Sequence, residues 1–371
     1  MENETPIIKS IKKWKYFKPL CYINENEILV YKAFKMYTWN TFENTMKYSG
    51  KLDGALWKKV LSHVRFINRV LRLEPRCCIM IKKSIFLIAF AGGLHEFNLK
   101  NGTSEKVYQF REGMNHAQML CQNQGNVYFG DYLSNPFKEE IYVYKYCTKS
   151  KQVQIIYTFE KGMVNHIHEI LWDKQRRRYW IFTGDVRDAA AIWYTDDEFR
   201  TVVKFFGGNQ LYRSCVAFIQ DNRMIYATDT PMEQNYICEI NIDTGNQRKI
   251  MEINGPGIYG GMDNDNFYWA TSVEYDSEKL KGIKGLLSYK LAPGILNRNV
   301  QLVYMKREGS RGGVAAEVNK DVYPMGLCQF GEIVMISSGN GQCTGYGQAI
   351  RGKDGRIIII NGGQNRERGK D

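Results

Sequence analysis

The chain has 371 residues, of which 44% are apolar, 24% charged and 13% aromatic. That length is well above the roughly 70 to 80 residues below which a core needs disulfides or metal, and the aromatic content excludes disorder, collagen and coiled coil. The longest charge-free apolar stretch, Ser84 to Leu94, is about half the ~20 residues of a membrane-crossing helix, so no membrane span is expected.

Residues 1–20 mix acids, lysines and aromatics without an uninterrupted apolar run, so the protein reads as cytoplasmic. The nine cysteines show no CxxC or other ligand-like spacing and are expected to be reduced thiols, not a disulfide framework or a zinc site. The net charge of +12 is scattered. Its clusters at 12–18, 58–76 and 176–178 do not interleave with aromatics as a nucleic-acid platform does, so no nucleic acid is expected and the excess reads as a solvated face.

In chain order, the first apolar run is Ile28 to Tyr31. The spacing of Leu56, Val60, Leu61, Val64, Ile67, Val70 and Leu71 then predicts a helix of about four turns over 56–71, an insertion packed onto the fold. From Ile85 to Gly93 a strand-like run appears that recurs at 127–131, 180–185, 225–229, 268–272 and 334–338, each copy closing on a small or acidic residue. The ends of the last five lie 54, 44, 43 and 66 residues apart, which is the period of propeller blades with one long insertion. Turn signals such as Asn123-Gln-Gly-Asn126 precede the runs, and further strands follow at 141–147, 191–195 and 236–242.

The unit is therefore strand, turn, strand, loop, strand, turn, strand. The fold class is all-β, a β-propeller of seven blades, or six if the first and last segments share one. One propeller domain spans 1–360, with Arg356-Ile-Ile-Ile-Ile360 helping to close the ring and 361–371 a flexible charged tail.

In a propeller the innermost strands line a channel, and the loops at their ends make the site. Counting back from the runs, these strands open at Asn115-His-Ala117, Asn165-His-Ile-His168, Tyr212-Arg-Ser214, Ile258-Tyr-Gly260 and Tyr323-Pro-Met-Gly326. His166 and His168, two apart on a strand, point to one face, and with His116 and a carboxylate they can hold a divalent metal or move a proton near neutral pH. The same histidines can equally be structural, bonding the ends of neighbouring strands.

Arg213 has the fork geometry to grip a carboxylate or phosphate, or to pair between blades with Asp185 or Asp229. Asp131, Asp185 and Asp229 each follow a second strand and suit acid/base work or turn capping. Tyr212 and Tyr259 offer ring faces and hydroxyls to a sugar. No phosphate loop, Gly-x-Ser-x-Gly elbow or Rossmann fingerprint is present, which argues against nucleotide-driven and serine-hydrolase chemistry.

Thr195-Asp-Asp-Glu-Phe-Arg-Thr-Val202 resembles the Asp-box (BNR) repeat, Ser/Thr-x-Asp-x-Gly-x-Thr-Trp, of sialidase-like propellers, with Phe199 at the turn glycine and Val202 at the tryptophan. The region 115–245, with His166-Ile-His-Glu-Ile-Leu-Trp-Asp173, Thr183-Gly-Asp185 and Gln210-Leu-Tyr-Arg213, is similar to uncharacterised glycosyl-hydrolase-like proteins of bacterial polysaccharide biosynthesis. The resemblance implies a propeller with a glycan connection. It does not extend to a sialidase mechanism, because Arg72-Leu-Glu-Pro75 departs from the family's Arg-Ile-Pro motif and no arginine triad can be assigned.

Two functions follow as expectations. The first is a glycosidase- or lyase-like enzyme acting on an acidic or polar glycan, with Arg213 holding an anionic group, His116, His166 or His168 handling a proton, Asp185 or Asp229 orienting it, and Asp131, Tyr212 and Tyr259 contacting substrate. The second is a non-catalytic propeller that binds a glycan intermediate or a protein partner of the same pathway. A divalent metal on His166 and His168 is the candidate cofactor.

Overall fold

A computed structural model describes residues 5–362 apart from 186, 277, 278, 281, 339 and 340, and omits the side chain of 187. The predicted tail, 361–371, lies outside the described residues from 363 onward.

Seven four-stranded antiparallel sheets make seven blades. Their innermost strands are β1 Lys18–Asn24, β2 Cys77–Lys82, β3 Cys121–Asn123, β4 His166–Asp173, β5 Ala217–Gln220, β6 Gly257–Met262 and β7 Glu332–Ser337. Tight turns set the hairpins. Gln124 and Gly125 both take positive φ (48° and 75°), which is the turn whose twist matches two antiparallel strands.

The ring closes through its ends: the N-terminal strand Ile7–Ile11 pairs antiparallel with Ile357–Asn361, completing the last blade from the outside. First and last segments thus share a blade, yet seven remain, because the weak run at 28–31 belongs to a full blade of its own, the strand Glu27–Lys32. Pairing the two ends leaves no open inner edge between the first and last blades.

The hydrophobic interior is divided. Each of seven apolar clusters joins two neighbouring blades: Val143 and Ile181 meet in one, Trp180 and Tyr226 in the next, Ile237 and Trp269 in a third. Alternation on each strand puts apolar side chains against both adjacent blades, so the core lies between blades and the inner strand ends are free to be polar.

Three sequence expectations are corrected. The run at 334–338 falls on the innermost strand of the last blade, Glu332–Ser337, and ends one residue beyond it, while the second strand is Cys343–Gln348. Tyr323 to Gly326 do not open a strand: Met325–Cys328 is a short helix, favoured by Pro324 with its preset φ just ahead of the first turn. The helix expected over 56–71 is two, Leu56–Leu61 and Arg65–Leu71, broken at 62–64. Val64 is extended (φ −90°, ψ 108°), and the apolar side chains Leu56, Val60, Val64 and Leu71 are exposed instead of packed.

Candidate functional site

The polar groups of the channel come from the residues that open the innermost strands. Lys18 stands at the first residue of β1, Arg76 just before β2, Gln118 before β3, His166 and His168 on β4, Arg213 before β5, Tyr259 on β6 and Glu332 at the first residue of β7. A cavity of about 140 Å³ opens among them, lined by Lys18, Arg76, His116, Tyr132, Tyr259 and Glu332, with Arg72 and Glu74 from the segment after the second helix.

On one side lies a tight cluster. The Nε2 atoms of His166 and His168 are 2.8 Å apart, and Asp185 Oδ1 is 3.3 Å from the first and 3.5 Å from the second. His168 lies at a register shift between Ile167 and Glu169, and bulges recur next to sites. Gly184 makes the room: a Cβ there would stand 2.5 Å from His168 Cε1. Each imidazole Nδ1 meets a backbone carbonyl, Leu133 O at 3.1 Å for His166 and Ser214 O at 3.0 Å for His168. A carbonyl only accepts, so each Nδ1 carries a proton, and in the neutral form of either ring Nε2 presents a lone pair.

Two lone pairs and a carboxylate oxygen therefore converge within 3.5 Å. That arrangement repels itself unless a proton or a cation sits between. Ligands bound at about 2.1 Å on neighbouring vertices of a metal lie roughly 3.0 to 3.4 Å from one another, close to this triangle. Two imidazoles with one carboxylate suit Mn²⁺, Fe²⁺ or Zn²⁺ more than Mg²⁺ or Ca²⁺.

Arg213 bridges the acids, donating from Nη2 to Asp185 Oδ1 at 2.9 Å and from Nε to Asp229 Oδ2 at 3.2 Å. Burial would raise the Asp185 carboxyl, but Arg213 and then His166 outweigh it and hold it well below the usual carboxylate range. Asp185 keeps 42% of its side chain accessible, so water reaches the cluster. Asp229 also accepts from the buried Cys215 thiol at 3.2 Å, and burial followed by Asp229's own charge pushes that thiol's pKa well up. Glu274, near Asp229 and accepting from Ser272 Oγ at 2.6 Å, is pushed to about 8 by burial first and Asp229 second.

Tyr132 joins this cluster to the cavity, its ring 4.7 Å from His166 and stacked at 5.5 Å on His116. His116 Nδ1 faces Ala117 O at 3.2 Å, and burial with the nearby Arg76 charge lowers its pKa to about 3, so it is a neutral imidazole with Nε2 as acceptor. Arg76 is held by neutral partners, Gln118 Oε1 at 2.7 and 3.0 Å and the Tyr259 hydroxyl, with its guanidinium 4.6 Å over the Tyr259 ring. Among the described residues, neither Arg76 nor Arg72 is ion-paired with a carboxylate. Burial lowers Lys18, and it raises Glu332 across the cavity.

Of the residues expected from sequence, His166, His168, Asp185, Arg213 and Asp229 meet in the cluster, and His116 and Tyr259 line the cavity. Arg213 pairs with both acids, which is the inter-blade alternative. Two residues fall elsewhere. Asp131 is wholly buried and taken up by Arg111, the Tyr142 N–H and the Tyr144 hydroxyl, a structural anchor with no room for substrate. Tyr212, the last residue of the 3₁₀ turn Gln210–Tyr212, stacks on Phe206 at 5.0 Å and packs against the apolar cluster between the fourth and fifth blades.

Lys18, Arg72, Arg76, Tyr132, Glu274 and Glu332 were not singled out from sequence. The counting-back that found His116 and Arg213, applied to the runs at 28–31 and 85–93, falls within three residues of Lys18 and Arg76.

No protein-family model matches the sequence, and no curated protein matches it. Solved structures match in fold. An oligogalacturonate lyase from Vibrio parahaemolyticus superposes with a TM-score of 0.54 at 11% identity, over 96% of this chain and 97% of that one. An oligogalacturonate lyase in complex with manganese gives 0.53 at 8% identity, over 96% and 91%. A chain of the mitotic checkpoint complex scores 0.54 at 11% identity, over 97% and 93%. Such different proteins scoring alike shows that the likeness is one of propeller architecture. The Thr195–Val202 hairpin does link the two outer strands of its blade, with Asp197 accepting from Thr195, Thr201 N–H and Thr201 Oγ1, but membership of the Asp-box family does not follow.

Proposed function

We propose that the protein is a carbohydrate-active propeller, lyase- or glycosidase-like, that takes an acidic glycan at this channel mouth. The observation that carries the reading is the pair of guanidinium groups, Arg72 and Arg76, facing a polar cavity with no carboxylate bonded to either among the described residues. A guanidinium recognises a carboxylate through two parallel hydrogen bonds, and Gln118 and Tyr259 orient Arg76 without neutralising it. The Tyr259 ring offers a face to a sugar.

His116 is placed to accept a proton. Arg76 disfavours its charged form. A substrate carboxylate on Arg76 offsets that repulsion and raises the basicity of His116 when substrate is bound. Behind Tyr132, His166, His168 and Asp185 fit a divalent transition metal, with Leu133 O and Ser214 O orienting the rings as second partners of metal-bound histidines do. When bound, such an ion supplies Lewis-acid stabilisation of negative charge. Arg213 keeps Asp185 ionised and positioned. The named lyases of like fold, one of them in complex with manganese, lend the reading support as analogy.

A second reading, a propeller that binds a glycan intermediate or a pathway protein without turnover, is favoured by one observation: Arg213, Asp185 and Asp229 are already satisfied by one another. Incubation with uronic-acid oligosaccharides and Mn²⁺ separates the two. Appearance of unsaturated-uronate absorbance or of new reducing ends supports the enzyme, and binding without product supports the second reading. Failure to bind any acidic glycan contradicts both glycan readings.

A further inference from the structure

The exposed apolar surface is concentrated in one place. Of 21 large hydrophobic side chains exposed among the described residues, six fall between Leu56 and Leu71, five between Ile283 and Leu296, and two are Val322 and Tyr323. These segments are distant in sequence but adjacent in space. The helix Met325–Cys328 packs against both Arg65–Leu71 and Gly282–Leu286. Phe66 meets Tyr323 ring to ring at 5.7 Å, and a Cβ on Gly326 would stand 2.8 Å from the Leu286 backbone. Leu56, Trp57, Val60, Ile283, Leu287 and Val322 each leave more than half of their surface to solvent. A cluster of this kind exceeds the scattered apolar exposure of an ordinary soluble surface.

Charge singles out the same two segments. Residues 54–73 and 279–298 each carry five lysines or arginines and no aspartate or glutamate. Part of that charge is consumed inside the fold, since Arg65 bonds Glu74 and Asp354 and Arg69 bonds Asp321. Lys58, Lys59 and Lys284 stand beside the apolar side chains, and Lys58 lies 5.4 Å from the Trp57 ring centroid. Exposed Trp, Leu and Ile with interleaved lysines is the composition that inserts apolar side chains at the acyl boundary while the ammonium groups reach lipid phosphates.

We infer that this helical face, built from the segment before the second blade, the insertion between the second and third strands of the sixth blade and the segment before the last blade, docks the propeller onto an anionic lipid surface. A bilayer is favoured over a protein partner because both segments lack any acid and combine protruding apolar side chains with lysines, where a protein groove would call for a shaped, mixed-charge surface. Arg72 and Glu74 follow the second helix and Phe330 follows the Met325 helix, and all three line the cavity, so docking sets the channel mouth next to the membrane plane. The inference stands whether or not the site acts on a glycan.

The test is cosedimentation of the full chain with phosphatidylcholine vesicles, with and without about a third phosphatidylglycerol, at low and high salt. Three proteins are compared: wild type, Leu56→Ser/Val60→Ser and Ile283→Ser/Leu287→Ser, each checked for an unchanged melting temperature. Because the two double variants lie on separate segments, a folding failure in one leaves the other informative. Binding to the anionic vesicles, weakened about tenfold or more by either variant and further by Lys58→Glu/Lys59→Glu, is the expected result. No sedimentation with anionic vesicles overturns the inference, and so does sedimentation that all variants retain. A concentration-dependent dimer that the variants dissolve, without vesicle binding, assigns the face to a second copy and overturns it too.

Discussion

His166 and His168 face each other through Nε2 at 2.8 Å, while the Nδ1 of each is turned to a backbone carbonyl. The carbonyls fix the tautomer, and the tautomer leaves two lone pairs in contact beside the Asp185 carboxylate. The cluster is thus completed by a positive charge that neither ring supplies while neutral.

Metal binding follows. Mn²⁺ or Zn²⁺ added to EDTA-treated protein is expected to raise the melting temperature and to bind at one ion per chain by elemental analysis. At 100-fold over the dissociation constant the stabilisation is about 2.7 kcal/mol. His166→Ala and His168→Ala each abolish the shift. A shift that both variants retain places the ion elsewhere.

Gly184→Ala tests the geometry without removing a ligand. The new Cβ falls on the His168 ring, with Cε1 at 2.5 Å and Nε2 at 2.8 Å, so the ring must move. Metal affinity is expected to fall at least tenfold, within the 10- to 100-fold range seen when the outer shell of a metal site is disturbed. Circular dichroism of the blades stays unchanged. Undiminished affinity would mean that the histidines do not hold the ion.

Arg213→Ala strands two acids. Asp229 keeps only 5% of its side chain exposed, and breaking a buried pair costs about 3 to 5 kcal/mol; the lower end applies because Asp185 is 42% accessible and therefore screened. Urea unfolding measures this. A loss below about 1 kcal/mol, together with weakened glycan binding, would restore Arg213 as the substrate anchor expected from sequence.

Glu274 gives a pH signature. Its carboxyl is pushed from 4.5 to about 8 in the folded protein by burial and by Asp229. Between those values the folded state holds a proton that the unfolded chain has released, so this contribution to stability is full below 4.5 and is lost as pH rises toward 8. Glu274→Gln is expected to flatten the slope of the urea midpoint over that window. An unchanged slope would assign the decline to other groups.

The architecture was legible because strands and tight turns repeat on a period, and Asn123-Gln-Gly-Asn126 turns where its composition requires. The last blade was misread because an apolar run such as Val334 to Ser338 looks alike on a first or a second strand, both being buried on two faces. The helix over 56–71 was read as one packed element because periodicity reports a stripe of apolar residues and not what covers it. His166, His168 and Arg213 stood out through residue type at strand openings. Glu274 and Tyr132 did not, because only the ring of blades brings them to Asp229 and His166.

Arg76 is the proposed anchor for an acidic sugar. The deciding measurement is calorimetric titration of trigalacturonate into Mn²⁺-loaded wild type and Arg76→Gln. Saturable binding at one site per chain, weakened at least about tenfold by the substitution with the melting temperature preserved, is the predicted result. No binding by the folded wild type, or equal binding by both proteins, would contradict an acidic-glycan site at the channel mouth.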